Sequence, residues 1–191
     1  MNISKENNNQ LNFLISALHE GSFISTQEVL KWMKEKNETI VSDIKQIPIK
    51  DIKGWSYQEG KICHQSGKFF SIEGIRILTN YGLVSQWDQP IINQPEIGFL
   101  GFIVKKFNGI IHFLVQAKIE PGNLNIVQLS PTLQATRSNY TRVHKGTSPT
   151  YLEYFTGEKN VDVLVDQLQS EQGARFLHKR LPPSVRVMTA S

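Results

Sequence analysis

Between Ile110 and Gly146 polar and apolar side chains alternate with period two, and this stretch constrains the chain more than any other. A strand sends successive side chains to opposite faces, so such a run reads as sheet with one apolar and one mostly polar face. In IIHFLVQAKIE, His112, Leu114, Gln116, Lys118 and Glu120 share one parity, and Phe113, Val115, Ala117 and Ile119 the other. Glu120-Pro121-Gly122-Asn123 then predicts a turn, because Pro fixes φ while Gly and Asn tolerate positive φ. Beyond it Gln128, Ser130, Thr132, Gln134 and Thr136 are polar, and Val127, Leu129, Pro131, Leu133 and Ala135 apolar. Pro131 cannot donate to a central ladder, so the chain is expected to leave the sheet near it. A polar cluster follows: Arg137, Ser138, Asn139, Tyr140, Thr141, Arg142 and His144. A solvated sheet face usually carries Lys and Glu. This one carries Gln, Ser, Thr and Asn, which suit a hydroxyl-rich ligand such as a carbohydrate or nucleotide. The alternative is an amphipathic sheet with its polar face in water.

The flanking sequence supplies helices and further strands. Residues 1–9 are polar and Asn-rich and are expected to be disordered. Leu11, Leu14, Ile15 and Leu18 follow helical spacing up to Gly21. Ser25-Thr26-Gln27-Glu28 matches a capping box opening a second helix to about Lys36, with Val29, Leu30, Trp32 and Met33 on its apolar side. A connector follows, with a short strand near Ile44–Ile47 and a helical turn from Ile49 to Lys53. Residues 55–57, 61–64 and 69–78 read as strands, with Gly74 as a bulge. Trp87-Asp88-Gln89-Pro90 reads as an irregular segment, in which Trp87 either stacks on a ligand base or packs beneath the sheet. Asn108-Gly109 signals a hairpin pairing 98–107 with 110–120. Tyr151 to Phe155 reads as a strand or turn. Asn160 caps an expected helix carrying Val161, Leu164, Val165 and Leu168 and ending at Gly173. Arg175 to Arg180 reads as a last strand, and residues 181–191, with Pro182-Pro183, as an unpacked tail. The expected architecture is α+β: a mixed or antiparallel sheet with helices packed on its faces, as one domain over residues 10–180.

Composition narrows the function classes. Lys+Arg 21 against Asp+Glu 17 is a mild excess that suits a pyrophosphate-bearing ligand. A nucleic-acid binder is disfavoured, because the charges are dispersed and no aromatic-basic repeat occurs. The single Cys63 excludes an intrachain disulfide and a Cys-based zinc site, and fits a cytoplasmic setting. The start, MNISKENNNQ, has no apolar core of a signal peptide, and no apolar run approaches a membrane span.

The segment VQAKIEPGNLNIVQLSPTLQATRSNYTRVHKG resembles the signature of the NDP-hexose 2,3-dehydratases. The likeness extends upstream through IPIKDIKGW, HQSGKFFSIEGIRI and WDQPIINQPEIGFLGFIVKK, and downstream through EYF and EQGARFLHKR, so it covers roughly residues 10–180. It implies a Nudix-like fold, although the Nudix box itself is missing, which disfavours a metal-dependent pyrophosphatase. Family members carry two tandem copies of the unit and this chain one. The expectation is a stand-alone half that pairs with itself as a homodimer; a remnant or truncated product is the alternative.

The resemblance implies a hydro-lyase of deoxysugar biosynthesis that removes water across C2 and C3 of a dTDP-4-keto-6-deoxyhexose. The C4 ketone acidifies the C3 proton; a base removes it, charge develops on the C4 oxygen, and a general acid helps the C2 hydroxyl leave. No hydride moves, so no cofactor is expected, and a separate ketoreductase is expected to take up the unstable enol product. The proton-transfer candidates are Glu120, Tyr140 and His144. Lys118 either stabilises the enolate or keeps Glu120 ionised. Arg137 and Arg142 are the candidates for the pyrophosphate, since planar guanidinium matches phosphate oxygens. Gln116, Gln128, Ser130, Thr132, Gln134 and Asn139 are assigned to sugar or base, and Trp87 to the base. The competing reading is a nucleotide-sugar-binding module without turnover.

Overall fold

The computed structural model describes residues 3–19, 21, 23–96, 98–141, 147–170, 172–178 and 180–190. Two N-terminal helices, α1 (Ile3–Leu18) and α2 (Thr26–Thr39), precede a single 3-10 turn at Ile49–Asp51. Eleven strands follow among the described residues: β1 (Trp55–Gln58), β2 (Lys61–His64), β3 (Ser71–Leu78), β4 (Gln86–Asn93), β5 (Phe99–Phe107), β6 (Ile110–Phe113), β7 (Val115–Ile119), β8 (Val127–Pro131), β9 (Leu133–Ala135), β10 (Val161–Ser170) and β11 (Arg180–Ala190). Two short helices, α3 (Arg137–Tyr140) and α4 (Leu152–Thr156), lie between β9 and β10.

The strands form a four-stranded antiparallel sheet, β1-β2-β3-β4; a mixed sheet, β10-β11-β5-β6, with β9 also on β5; and a ribbon, β7-β8. The centre of the mixed sheet is β5, paired in parallel with β11 from Leu100↔Val185 to Val104↔Thr189. Its two faces are separately packed. Ile103, Leu133, Ala135, Phe155 and Met188 form one cluster, bordered by Phe99 and Tyr140. Val104, Ile111 and Val187 form the other, bordered by Phe13 of α1. Helices therefore cover both faces, as the α+β reading expects. The Asn108-Gly109 hairpin is present, with φ of 51° and 83°, but it pairs only Val104–Phe107 with Ile110–Phe113; Phe99–Gly101 pairs with β9 and Val115–Ile119 with β8 instead.

Several expectations are corrected. The polar start is helical from Ile3, and α2 runs on to Thr39, so Asn37 is helical rather than connector. The α2 capping box forms as expected: Ser25 Oγ accepts from Glu28 N, while Glu28 accepts from Ser25 N. The packing face of α1 differs, however. Phe13 and Ser16 face β6, while Leu11, Leu14, Ile15 and Leu18 are exposed. The Ile44–Ile47 segment is not a strand. Residues 86–93 are a strand rather than a loop: β4 is an edge strand, where Pro90 removes no obligatory ladder bond. Gly74 faces Pro90 in unbroken register and makes no bulge. Residues 151–155 begin a helix, with Tyr151 at φ 68° as its N-cap.

The largest corrections are C-terminal. The helix expected from Asn160 to Gly173 is instead strand β10, Val161–Ser170. Val161, Val163 and Val165 are β-branched at alternate positions, and antiparallel pairing with β11 selects that period over the helical one. Arg175 to His178 is not a strand, and Arg180 already belongs to β11. Instead, Ala174 to Leu177 clasp the edge of β4: Ile92 N donates to Arg175 O at 2.8 Å and Leu177 N to Ile92 O at 2.9 Å. The expected tail is strand β11, and its Met188 is fully buried beside Ile103. Its Pro183 sits where the β10 register is irregular.

Hydrogen bonds hold two carboxylates of the four-stranded sheet below their usual range. Glu73 accepts from Ser71 Oγ at 2.6 Å and Asn93 Nδ2 at 3.0 Å, and lies below 4.5 chiefly through Ser71, then Asn93. Asp88 lies below 3.8 through its two-bond pairing with Arg76. A lowered folded value means that their contribution is complete above the unfolded value and declines as pH falls through the folded one. The sheet is therefore expected to lose stability as pH falls below 4.5, and Glu73→Gln to show a shallower loss in an acid titration followed by Trp87 fluorescence.

Candidate active site

The ribbon arises at a fork. Strands β9 and β6 pair with successive parts of β5, β9 over Phe99–Gly101 and β6 over Val104–Phe107. Where they part, the chain leaves the sheet through Leu114 on one side and Thr132 on the other. Leu114 N donates to Ile103 O at 2.9 Å. Thr132 Oγ1 accepts from Ile103 N at 3.0 Å and donates to Leu114 O. Gln116 Nε2 donates to Pro131 O at 3.0 Å and Thr132 O at 3.3 Å. A hydroxyl and an amide thus replace ladder bonds at the point where Pro131 is expected to end the pairing. Thr132 is 3 % exposed, so Thr132→Val leaves Ile103 N and Leu114 O without their buried partner. We expect it to cost about 2 kcal/mol, measured by denaturant unfolding.

Past the fork β7 pairs with β8, Gln116 opposite Ser130 and Lys118 opposite Gln128. These four residues therefore share one face of the ribbon. On it lies a cavity of 160 Å³ lined by Lys118, Glu120, Asn123, Gln128, Ser130 and Gln134 among others. Lys118 Nζ and Glu120 Oε1 are 2.7 Å apart, both half-exposed. Asn123 Nδ2 donates to Lys118 O at 3.4 Å and so ties the turn beneath the pair. Ser130 Oγ donates to Gln134 Oε1 at 3.4 Å. A cation, a carboxylate and four neutral hydrogen-bonding side chains thus meet in one concavity. It is smaller than the roughly 300–1,000 Å³ of pockets that enclose a whole ligand, so it has room for only part of one.

Five of the expected site residues, Lys118, Glu120, Gln128, Ser130 and Gln134, are brought together here. Gln116 and Thr132 instead direct their polar atoms into the fork. Arg137, Asn139 and Tyr140 lie on α3, which follows β9 directly. Arg137 and Asn139 are exposed there. The Tyr140 ring packs on Phe99 at 5.0 Å, beside the core. Trp87 is on β4 of the other sheet, with Nε1 donating to Gln89 Oε1 at 2.8 Å. Arg142 and His144 fall outside the described residues.

Two contributors were not singled out from the sequence. Asn123 appeared only as a turn former, although it follows Glu120 within three residues. Glu96 accepts from both Ser138 N, at 3.2 Å, and Ser138 Oγ, at 2.7 Å, and so fixes the first turn of α3. Nothing in the local pattern joins it to a residue 42 positions away.

Comparison with known proteins bears on the same residues. The family model for NDP-hexose 2,3-dehydratase matches residues 26–189. The chain is 45% identical over 176 residues to a dTDP-4-dehydro-6-deoxy-alpha-D-glucopyranose 2,3-dehydratase of Saccharopolyspora spinosa, covering 91% of this chain and 36% of that protein. It is 44% identical over 173 residues to the enzyme of that name from Amycolatopsis orientalis, covering 87% and 37%. For the one from Streptomyces violaceoruber the identity is 47% over 152 residues, covering 78% and 34%. The chain thus spans about a third of the length of these curated relatives. With a match over most of its length that takes in the fork, the ribbon and α3, the chain belongs to the NDP-hexose 2,3-dehydratase family.

Proposed function

We propose that this chain takes part in dehydration of a dTDP-4-keto-6-deoxyhexose across C2 and C3. The observation that carries the reading is the Lys118–Glu120 pair at 2.7 Å, set among Gln128, Ser130 and Gln134 in one cavity. Elimination next to a ketone needs a carboxylate where the acidified proton lies and a cation where the enolate charge develops. In this scheme Glu120 removes the C3 proton through Oε2, since Oε1 is engaged by Lys118. Lys118 stands by the C4 oxygen and takes up its developing charge. The C3–H electrons form the enolate, which collapses to the C2–C3 double bond as the C2 hydroxyl leaves as water with a proton from Tyr140 or His144. Arg137 and Arg142 receive the pyrophosphate, and Asn139 and Trp87 the sugar and base. The steps balance with no redox partner; the enol product calls for a ketoreductase acting next.

We read the mixed sheet with helices on both faces as Nudix-like, and the working form as a cytoplasmic homodimer. What supports the dimer is uncovered apolar surface. Leu14, Leu18, Phe23 and Ile24 are each more than half exposed. Light scattering tests it: a monomer that turns over substrate removes the dimer from the scheme.

The test of function is to incubate the chain with dTDP-4-keto-6-deoxyglucose. Loss of substrate with release of a maltol-like breakdown product supports dehydration. Calorimetric binding without turnover supports the nucleotide-sugar-binding module instead.

A further inference from the structure

Both N-terminal helices reach a strand edge through one polar side chain. Ser16 Oγ of α1 accepts from Ile111 N of β6 at 2.8 Å. Asn37 of α2 does more. Its Oδ1 accepts from Val127 N at 2.9 Å, and its Nδ2 donates to Val127 O at 3.1 Å and to Met33 O at 2.9 Å. The acceptor and both donors of the amide are thus engaged, and a flipped amide would set donor against donor. Asn37 therefore pairs with Val127 as a neighbouring strand would, 90 residues away in sequence. Asn is a poor helix former, and here, two residues before the end of α2, it is half-buried rather than turned to water.

Val127 opens β8 and is 2 % exposed. The next residue, Gln128, opposes Lys118, and Ser130 follows in the same strand. A two-stranded ribbon is marginal by itself, and this one carries the Lys118–Glu120 cavity. We propose that Asn37 is a positioning residue of that cavity: it fixes the outer edge of β8 and thereby the alignment of Gln128 and Ser130 with Lys118. The inference rests on the reading of the cavity as the reaction site. Ser16 is its internal control, because β6, which Ser16 holds, supplies none of the cavity lining.

The experiment compares Asn37→Ala, Asn37→Asp and Ser16→Ala in the full chain by amide hydrogen exchange and by turnover of dTDP-4-keto-6-deoxyglucose. Asn37→Asp keeps the size and the acceptor for Val127 N but loses the donors, so it serves where the alanine variant does not fold. Both Asn37 variants are expected to exchange about tenfold faster across Val115–Ile119 and Val127–Pro131. Both should also lose at least about tenfold in kcat, with a smaller change in KM. Ser16→Ala should speed exchange in β6 and keep turnover within about twofold. Unchanged exchange in the ribbon overturns the proposal. So does faster exchange with turnover intact, or an equal loss in Ser16→Ala. If the unaltered chain turns nothing over while the ribbon still responds to Asn37, the proposed reaction fails and the hold of Asn37 on the ribbon stands.

Discussion

Glu120→Gln is expected to lower turnover of dTDP-4-keto-6-deoxyglucose by about 10³-fold, the middle of the range for a general base. The amide keeps the shape and the contact with Lys118 but cannot accept the C3 proton. Because the Lys118–Glu120 pair is half-exposed, its loss should cost little stability, and the thermal midpoint should stay within a degree or two. Lys118→Met should cost about 10²-fold, by withdrawing the cation from the developing enolate. Retention of more than a tenth of the turnover by Glu120→Gln would remove Glu120 as the base and pass that role to Tyr140 or His144.

Gly101→Ala is expected to destabilise the fold by about 4 kcal/mol and to lower the thermal midpoint by about 10 °C. At Gly101 of β5 an added Cβ would stand 2.6 Å from Arg186 O and closer still to the Phe155 ring. Neither neighbour yields easily. Arg186 is in β11, which pairs with Gly101 directly, and its Nη1 donates to Phe155 O at 3.0 Å. The ring of Phe155 is 1 % exposed in the core. Gly74→Ala is the control. Nothing lies within 4 Å of a Cβ there, so the same change in another strand should be neutral or slightly stabilising. Thermal unfolding of the two variants side by side separates the close approach from the general effect of removing a strand glycine.

Much of the site was legible because its elements carry local signals. The alternation from Gln116 to Gln134 places one polar row per strand, the Glu120–Asn123 turn joins the strands, and Pro131 marks where the pairing stops. What period two cannot supply is the fork. Beyond Pro131 the strict parity of Gln128, Ser130, Thr132 and Gln134 breaks, because a bend at Thr132 turns its hydroxyl to Ile103 and Leu114. For the same reason Gln116, opposite Ser130, spends its amide on backbone carbonyls instead of the cavity.

Elsewhere the sequence was ambiguous in a way only partners resolve. The run VDVLVDQLQS satisfies helical spacing at Val161, Leu164, Val165 and Leu168 and strand spacing at Val161, Val163 and Val165. Pairing with β11 on one edge decided it, and β11 is held in turn by its parallel register with β5. A segment with two adjacent prolines looks like a tail until a central strand 85 residues earlier supplies its ladder, as for Val185 opposite Leu100. The Asn37–Val127 and Glu96–Ser138 contacts belong to the same class, each joining a side chain to backbone far away in sequence.

By itself, then, the amino-acid sequence determined the capped α2 helix, the hairpin at Asn108-Gly109, the two alternating strands with their polar row, and the family to which the chain belongs. Each depends on residues near one another in the chain or on a match read directly from it. Tertiary structure decided which polar side chains face a cavity and which replace ladder bonds, and it made β10 and β11 strands. Those outcomes depend on backbone groups that must find partners once buried, and the partners lie too far along the chain for any local pattern to name.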